Sequence, residues 1–185
     1  MLNLKEMHKF FIRQRLREGC IAVDFTMGNG NDTLFLSETV GQTGKVYAFD
    51  VQEAALKSTR RRLEEAGAPQ NYTLICDSHH KVKDYVNEPI TAGMFNLGYL
   101  PGGDKSLTTM RETTMPAVEA AIELLAPDGA LIIAVYPGHN EGALEGEMLK
   151  EYFKTTSRFE ICPTEIKILN SPDSPYFFLV EKRGK

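Results

Sequence analysis

Short apolar runs alternate with longer stretches of helical periodicity along most of this chain. The runs at residues 20–25, 45–50, 72–76, 91–95 and 130–135 have the length of strands, and the first contains IAVDF, apolar at all but one position. A strand that is apolar toward both faces must be covered on both, as in a parallel sheet between helices. Between these runs, residues of about 32–40, 52–66, 79–86 and 105–125 read as helices, as does an N-terminal stretch of about 4–18. Gly41 and Gly44, then Gly67 and Pro69, then Pro127, Asp128 and Gly129 mark helix ends. A further helix is predicted over about 142–154. Two extended stretches, 159–169 and 176–181, flank the turn NSPDSP. Repeated β-α units closed by an antiparallel C-terminal hairpin predict an α/β fold. It is a Rossmann-like, doubly wound mixed sheet of seven strands in a single domain over residues 1–185.

Composition narrows the setting. With 42% hydrophobic and 25% charged residues, the chain has the balance of a soluble globular protein, and no apolar run is long enough to cross a bilayer. The charged N-terminal stretch lacks the apolar centre of a signal peptide. Three widely spaced cysteines suggest neither a disulfide framework nor a metal site, and predict a reducing, cytoplasmic location. Cys20 and Cys76 lie in apolar runs, where a thiol packs as a small hydrophobe. The net charge of −4 does not advertise nucleic-acid binding. Basic residues nevertheless crowd the first helix, at Lys5, Lys9, Arg13, Arg15 and Arg17. A second cluster, Arg60 to Arg62, reads as a solvated helix face.

In a doubly wound sheet, ligands bind beyond the carboxyl ends of the strands, so the strand-ending loops carry the chemistry. The first is VDFTMGNGNDT, residues 23–33. Gly28 and Gly30 permit a tight turn and close backbone approach, while Asp32 falls in the first turn of the next helix. Thr26, Asn29 and Thr33 complete the candidate cofactor loop. A pyrophosphate loop wants a third glycine, but Thr33 occupies that position. Asp24 adds a negative charge that opposes a pyrophosphate and suits a sulfonium with an α-ammonium group. S-adenosylmethionine is such a ligand, and a nicotinamide-dependent oxidoreductase is disfavoured.

The second strand ends at Asp50, placed to accept from ribose hydroxyls, with Gln52 beside it. The third ends in DSHH, where Asp77 and Ser78 are expected to meet the adenine edge and His79 to form cofactor wall or helix start. Each acid could singly be a helix cap; three at successive strand ends favour the sulfonium cofactor. FNLGYLPGGD follows the fourth strand, at the acceptor position. There Asn96 offers a carbonyl oxygen and an amide to acceptor and cofactor, Gly98 shapes the loop and is also a candidate cofactor contact, and Tyr99 either stacks on a ring or packs inward. VYPGHNEG follows the fifth and is expected to turn Tyr136, His139 and Glu145 toward the same crevice.

With VDFTMGNGNDT, YAFDVQ, DSHH, FNLGYLPGGDKS and VYPGHNEG in place, the chain resembles a known family over almost its whole length. The match extends to Asn170 and to Pro175 with Tyr176. The family is that of small bacterial methyltransferases long labelled rRNA methylases, since connected with 5-aminomethyl-(2-thio)uridine methylation in tRNA. The resemblance implies a class I, S-adenosylmethionine-dependent methyltransferase that works as a homodimer on a wobble uridine in the anticodon stem-loop. The family's DATxGNGxDT reads DFTMGNGNDT here. Tyr176 stands where the family often has a second proline, and would offer a stacking surface.

The expected reaction needs no metal, because the cofactor carries its own leaving group. An aminomethyl acceptor must be deprotonated to attack, and His139 is the candidate base, with Tyr136 assisting and Asn96 orienting the amine. The alternative for His139 is a structural role in its own loop. Lys9, Arg13 and Arg15 are the expected phosphate contacts. Methylation of an rRNA base or of a small molecule is the nearest rival; the acidic net charge suits a small acceptor. A cofactor-binding protein without catalysis is the third reading.

Overall fold

The apolar runs do become strands, and the way each is covered explains the sheet. In the computed structural model, which describes residues 3–98, 108–138 and 140–184, five parallel strands come first. They are β1 (Ile21–Asp24), β2 (Lys45–Asp50), β3 (Tyr72–Cys76), β4 (Ile90–Leu97) and β5 (Leu125–Val135). Helix α1 (Leu4–Arg13) precedes them. The crossovers carry α2 (Asn31–Val40), α3 (Glu53–Glu65), a 3-10 turn (His79–Lys81) running into α4 (Val82–Tyr85), and α5 (Arg111–Leu124). Then come α6 (Asn140–Thr155), β6 (Ile161–Ile166) and β7 (Tyr176–Lys182).

The strand order is β3-β2-β1-β4-β5-β7-β6. The order reverses between β1 and β4, which opens a crevice beyond the ends of those two strands. β7 pairs antiparallel with both β5 and β6, so the second strand of the terminal hairpin, rather than the first, lies next to β5, and β6 forms the edge.

Alternation along the strands sorts the core into two layers. Ala22, Val46, Ala92, Met94, Ile132 and Ala134 face α1 and α2. Val23, Phe25, Phe49, Phe95, Leu131 and Ile133 face the layer built from α4, α5 and α6. In that second layer the Phe25 and Phe95 rings stack 4.0 Å apart and nearly parallel. Gly93 makes room for them, since a Cβ there would come within 2.8 Å of the Phe25 ring.

Several boundaries depart from the sequence expectation. α1 stops at Arg13 instead of near residue 18, because the next turn tightens: the Arg15 amide donates to the Ile12 carbonyl at 2.9 Å. The predicted start of the fourth crossover helix at 105 lies outside the described residues, and residues 108–110 are not helical. Pro127 to Gly129 form an irregularity inside β5. Its register jumps from Ile90 opposite Leu125 to Ala92 opposite Ala130, and Asp128 has φ 62°. Cys76 is exposed on the edge strand and does not pack as a hydrophobe. Among the described residues, no helix is long and apolar enough to cross a membrane.

Candidate active site

The loop after β1 turns back over the sheet and is buckled from beneath. The Asp24 carboxylate is fully buried; it accepts from the Thr33 hydroxyl at 2.6 Å and from the Thr26 amide at 3.1 Å. Burial first, and then the nearby charge of Asp32, push its carboxyl up to about 7. Asp24 lines neither of the cavities described below, so the expected direct contact with a cofactor cation is corrected: Asp24 and Thr33 hold the loop together.

Helix α3 grips the same loop from outside. Thr59 donates to the Gly28 carbonyl at 3.1 Å, Arg62 Nε to the Asn29 carbonyl at 2.6 Å, and Ser58 to the Asn29 side chain at 3.1 Å. Gly30 has φ 77°, and a Cβ there would lie 2.9 Å from the Thr59 Cα, so only glycine fits. The sequence reading missed Ser58, Thr59 and Arg62, and took Arg62 for part of a solvated face. The available signal was their spacing of three and four, which puts them on one side of a helix.

At the end of β2, Asp50 accepts from the Gly28 amide at 3.1 Å and from the Gln52 amide at 3.0 Å, and burial raises its carboxyl. Asp77, after β3, is already occupied. It takes hydrogen bonds from the Ser78 amide, from Lys81 and from the Tyr85 hydroxyl, and the Lys81 ammonium leads in lowering it to about 2.

At the end of β4, Asn96 is the centre of a polar chain. Its backbone amide donates to the Thr26 hydroxyl at 2.8 Å, and its Nδ2 donates to Asp32 at 2.7 Å. That leaves Oδ1 turned to Tyr136, whose hydroxyl lies 3.4 Å away. The Tyr136 hydroxyl is held up by burial and then by the charge of Asp32, so it stays protonated and donates.

Two cavities meet at Thr26, Gly28, Asn96 and Gly98. The larger, of about 660 Å³, is bounded by the glycine loop, Asp32, Tyr136 and one side of α1 that includes Glu6, His8 and Lys9. The smaller, of about 150 Å³, lies over Asp50, Gln52, Asp77, Ser78 and His79. Asn29 lines the larger one.

Two further expectations, for Tyr176 and Glu145, do not survive. Tyr176 is 8% exposed, because β7 inserts between β5 and β6 and packs its ring edge-on to Phe178; it offers no stacking surface. Glu145 turns away from the crevice into the α5–α6 interface, where Thr109 and Thr114 donate to it at 2.8 and 2.5 Å. Arg15 is paired with Glu181, while Lys9 and Arg13 lie 5.6 and 5.1 Å from the Phe35 ring centre. Tyr99 and His139 lie outside the described residues.

The family described as "Putative rRNA methylase" matches residues 46–182. The chain belongs to this family. A Clostridium thermocellum protein carrying the same description is 36% identical and superposes with a TM-score of 0.95, covering 98% of both chains. A Streptococcus mutans protein described as a methyltransferase, solved in complex with SAH, is 39% identical. Its TM-score is 0.89 over 98% of this chain and 99% of that one. A chloroplastic tRNA (mnm(5)s(2)U34)-methyltransferase from Arabidopsis thaliana is 35% identical over 182 residues, which are 92% of this chain and 66% of the relative. This chain spans between 33% and 66% of the length of the curated relatives it matches. The family's fold is thus the doubly wound, seven-stranded class I methyltransferase sheet seen here.

Proposed function

We propose that this chain is an S-adenosylmethionine-dependent methyltransferase whose acceptor is the amine of 5-aminomethyl-(2-thio)uridine at the wobble position of tRNA. The polar chain from Asp32 through Asn96 to Tyr136 carries the proposal. Asp32 fixes the Asn96 amide so that its carbonyl oxygen, which takes the Tyr136 hydroxyl on one lone pair, has the other for an amine. A donor nitrogen held there keeps its lone pair available for the methyl carbon.

The residues fit the cofactor. Asp50 stands at the nucleoside end and the glycine loop at the joint, and the joined cavities admit an elongated ligand. When bound, S-adenosylmethionine supplies an electrophilic methyl on a sulfonium. The amine forms a bond to that carbon, the carbon–sulfur pair leaves with sulfur, and the amine loses one proton. Asn96 orients the amine and Tyr136 orients Asn96, so positioning supplies most of the rate. The Streptococcus mutans relative with SAH and the Arabidopsis thaliana wobble-uridine methyltransferase support cofactor and acceptor.

The finer parts of the proposal concern partners. Lys9, which lines the larger cavity, and Arg13, farther along α1, are the proposed phosphate contacts. His139 is the proposed base, Tyr99 the proposed stacking ring, a homodimer the proposed assembly, and the cytoplasm the proposed location.

The test is methyl transfer from labelled S-adenosylmethionine to tRNA from a strain lacking this gene, read by nucleoside mass spectrometry. Label on an aminomethyl uridine is the expected result. Tight cofactor binding with no labelled tRNA nucleoside would remove the acceptor assignment and turn attention to rRNA or a small amine.

A further inference from the structure

The sheet stops holding the crevice just short of its polar groups. The β4–β5 ladder ends at Leu97 opposite Val135, so the next residues, Gly98 and Tyr136, lie beyond the pairing. Yet Gly98 borders both cavities, and the Tyr136 hydroxyl is 3.4 Å from Asn96 Oδ1, close to the limit of a hydrogen bond. A small shift between the two strand ends breaks that contact.

Helix α6 holds these ends. The Gly98 carbonyl accepts from the Thr109 amide at 2.9 Å, and the Thr109 hydroxyl donates to Glu145 Oε2 at 2.8 Å. The other oxygen, Oε1, takes the Thr114 hydroxyl at 2.5 Å. Glu145 is fully buried and borders neither cavity. One turn earlier, Glu141 Oε1 accepts from the Arg111 amide at 3.1 Å and from Arg111 Nε at 2.9 Å, which satisfies an amide at the start of α5. α6 begins at Asn140, directly after the loop that bears Tyr136, and its side grips the chain that returns after β4.

The chemistry calls for a carboxylate. Two hydroxyls donate, one to each oxygen, and an ionised carboxyl accepts both without donating in return. Burial pushes this carboxyl up, while the Thr114 and Thr109 hydroxyls pull it back. Arg111 gives its Nε to Glu141 instead.

We infer that Glu145 is a positioning residue for methyl transfer: through Thr109 it holds the Gly98 end of β4 against α6, and so sets the Asn96–Tyr136 contact that orients the acceptor amine. The inference rests on the methyl transfer proposed above. Thr114 is the internal contrast. It donates to the same carboxylate, but its amide donates to Met110 within the first turn of α5 and not to Gly98.

Single-turnover methyl transfer to saturating tRNA, beside calorimetric SAH affinity and the melting temperature, tests this in the full chain. Glu145→Gln keeps the shape but has one accepting oxygen, so it cannot take both hydroxyls. It should slow transfer about tenfold with SAH affinity within about threefold. Thr109→Val, which removes only the hydroxyl, should slow transfer to a similar degree. Thr109→Ser keeps the hydroxyl and should stay within about twofold of the unaltered rate. Thr114→Val should lower the melting temperature as much as Thr109→Val does, yet leave transfer within about twofold. Unaltered rates in Glu145→Gln and Thr109→Val, whatever their melting temperatures, would overturn the inference. Equal slowing by Thr114→Val and Thr109→Val would overturn it too, leaving Glu145 a packing residue of the α5–α6 interface. Should Glu145→Gln not fold, the threonine variants decide by themselves. SAH binding without methyl transfer to tRNA by the unaltered protein would overturn the acceptor proposal, and this inference with it.

Discussion

At the glycine-loop end of the crevice, main-chain groups border both cavities and are gripped from behind, whereas at the proposed acceptor end side chains from distant elements meet. Asp24, Thr33, Thr59 and Arg62 pin the first region through its backbone. Asp32, Asn96 and Tyr136, from α2, β4 and the loop after β5, meet in the second, with α1 across from them. In the proposed assignment, the cofactor half is expected to be intolerant of backbone change and the acceptor half of side-chain change. A shared donor needs an invariant cradle, while an acceptor pocket can be respecified by a few side chains.

The sharpest way to expose the buckle beneath the loop is pH. Asp24 is raised from an ordinary 3.8 to about 7 in the folded protein, so the folded state binds its proton more tightly than the unfolded chain does. Its stabilising contribution is present below about pH 4 and is lost as pH rises through 7. Urea unfolding should show the protein losing on the order of 4 kcal/mol relative to Asp24→Asn between pH 4 and pH 8. A pH-independent difference between the two would show that Asp24 titrates normally.

Gly30→Ala comes next. A left-handed φ and a Cβ pressed on the Thr59 backbone should cost about 3 kcal/mol and abolish SAH binding. Unchanged binding would break the claim that the cofactor half is fixed by its main chain. Asn96→Ala should do the reverse, lowering single-turnover methyl transfer roughly a hundredfold while leaving SAH affinity within about threefold. If affinity and rate fell together, the two halves would not be separable.

The smallest effect belongs to the surface. Lys9→Gln with Arg13→Gln should reduce the slope of log affinity for tRNA against log salt by roughly 1.5, with each removed phosphate contact counting a little under one. Arg15→Gln should change it less, because Glu181 already holds that guanidinium. Equal slopes for all variants would move the RNA contact off α1.

Much of this was readable along the chain. The five apolar runs, the glycines and the acids at strand ends announced both the sheet and the edge that borders the two cavities. The uses of those acids were not readable. Asp24, Asp50 and Asp77 look alike in sequence, yet one is buried under a loop, one lies open to a cavity, and one is tied to Lys81 and Tyr85. Burial and partners depend on which helix passes over each strand end, and no local pattern records that.

Tyr176 and Glu145 make the same point from the acceptor side. Both sit in motifs rich in chemistry, and both are structural. Tyr176 is buried by the insertion of β7 between β5 and β6, and Glu145 by the docking of α6 against α5. Lys182 shows the converse. At the far end of β7 it donates to the carbonyls of Ile122, Glu123 and Leu125 and closes the C-terminus of α5.

Periodicity and glycine placement were enough to determine a doubly wound α/β sheet, and the motifs were enough to determine the family. These are local properties, written in side-chain alternation and in φ preferences. Which carboxylate is buried, which imidazole nitrogen lacks a partner among the described residues and which aromatic ring is covered were decided only in three dimensions. Each depends on strand order and helix docking, and these bring together residues such as His79 and Phe25, 54 positions apart.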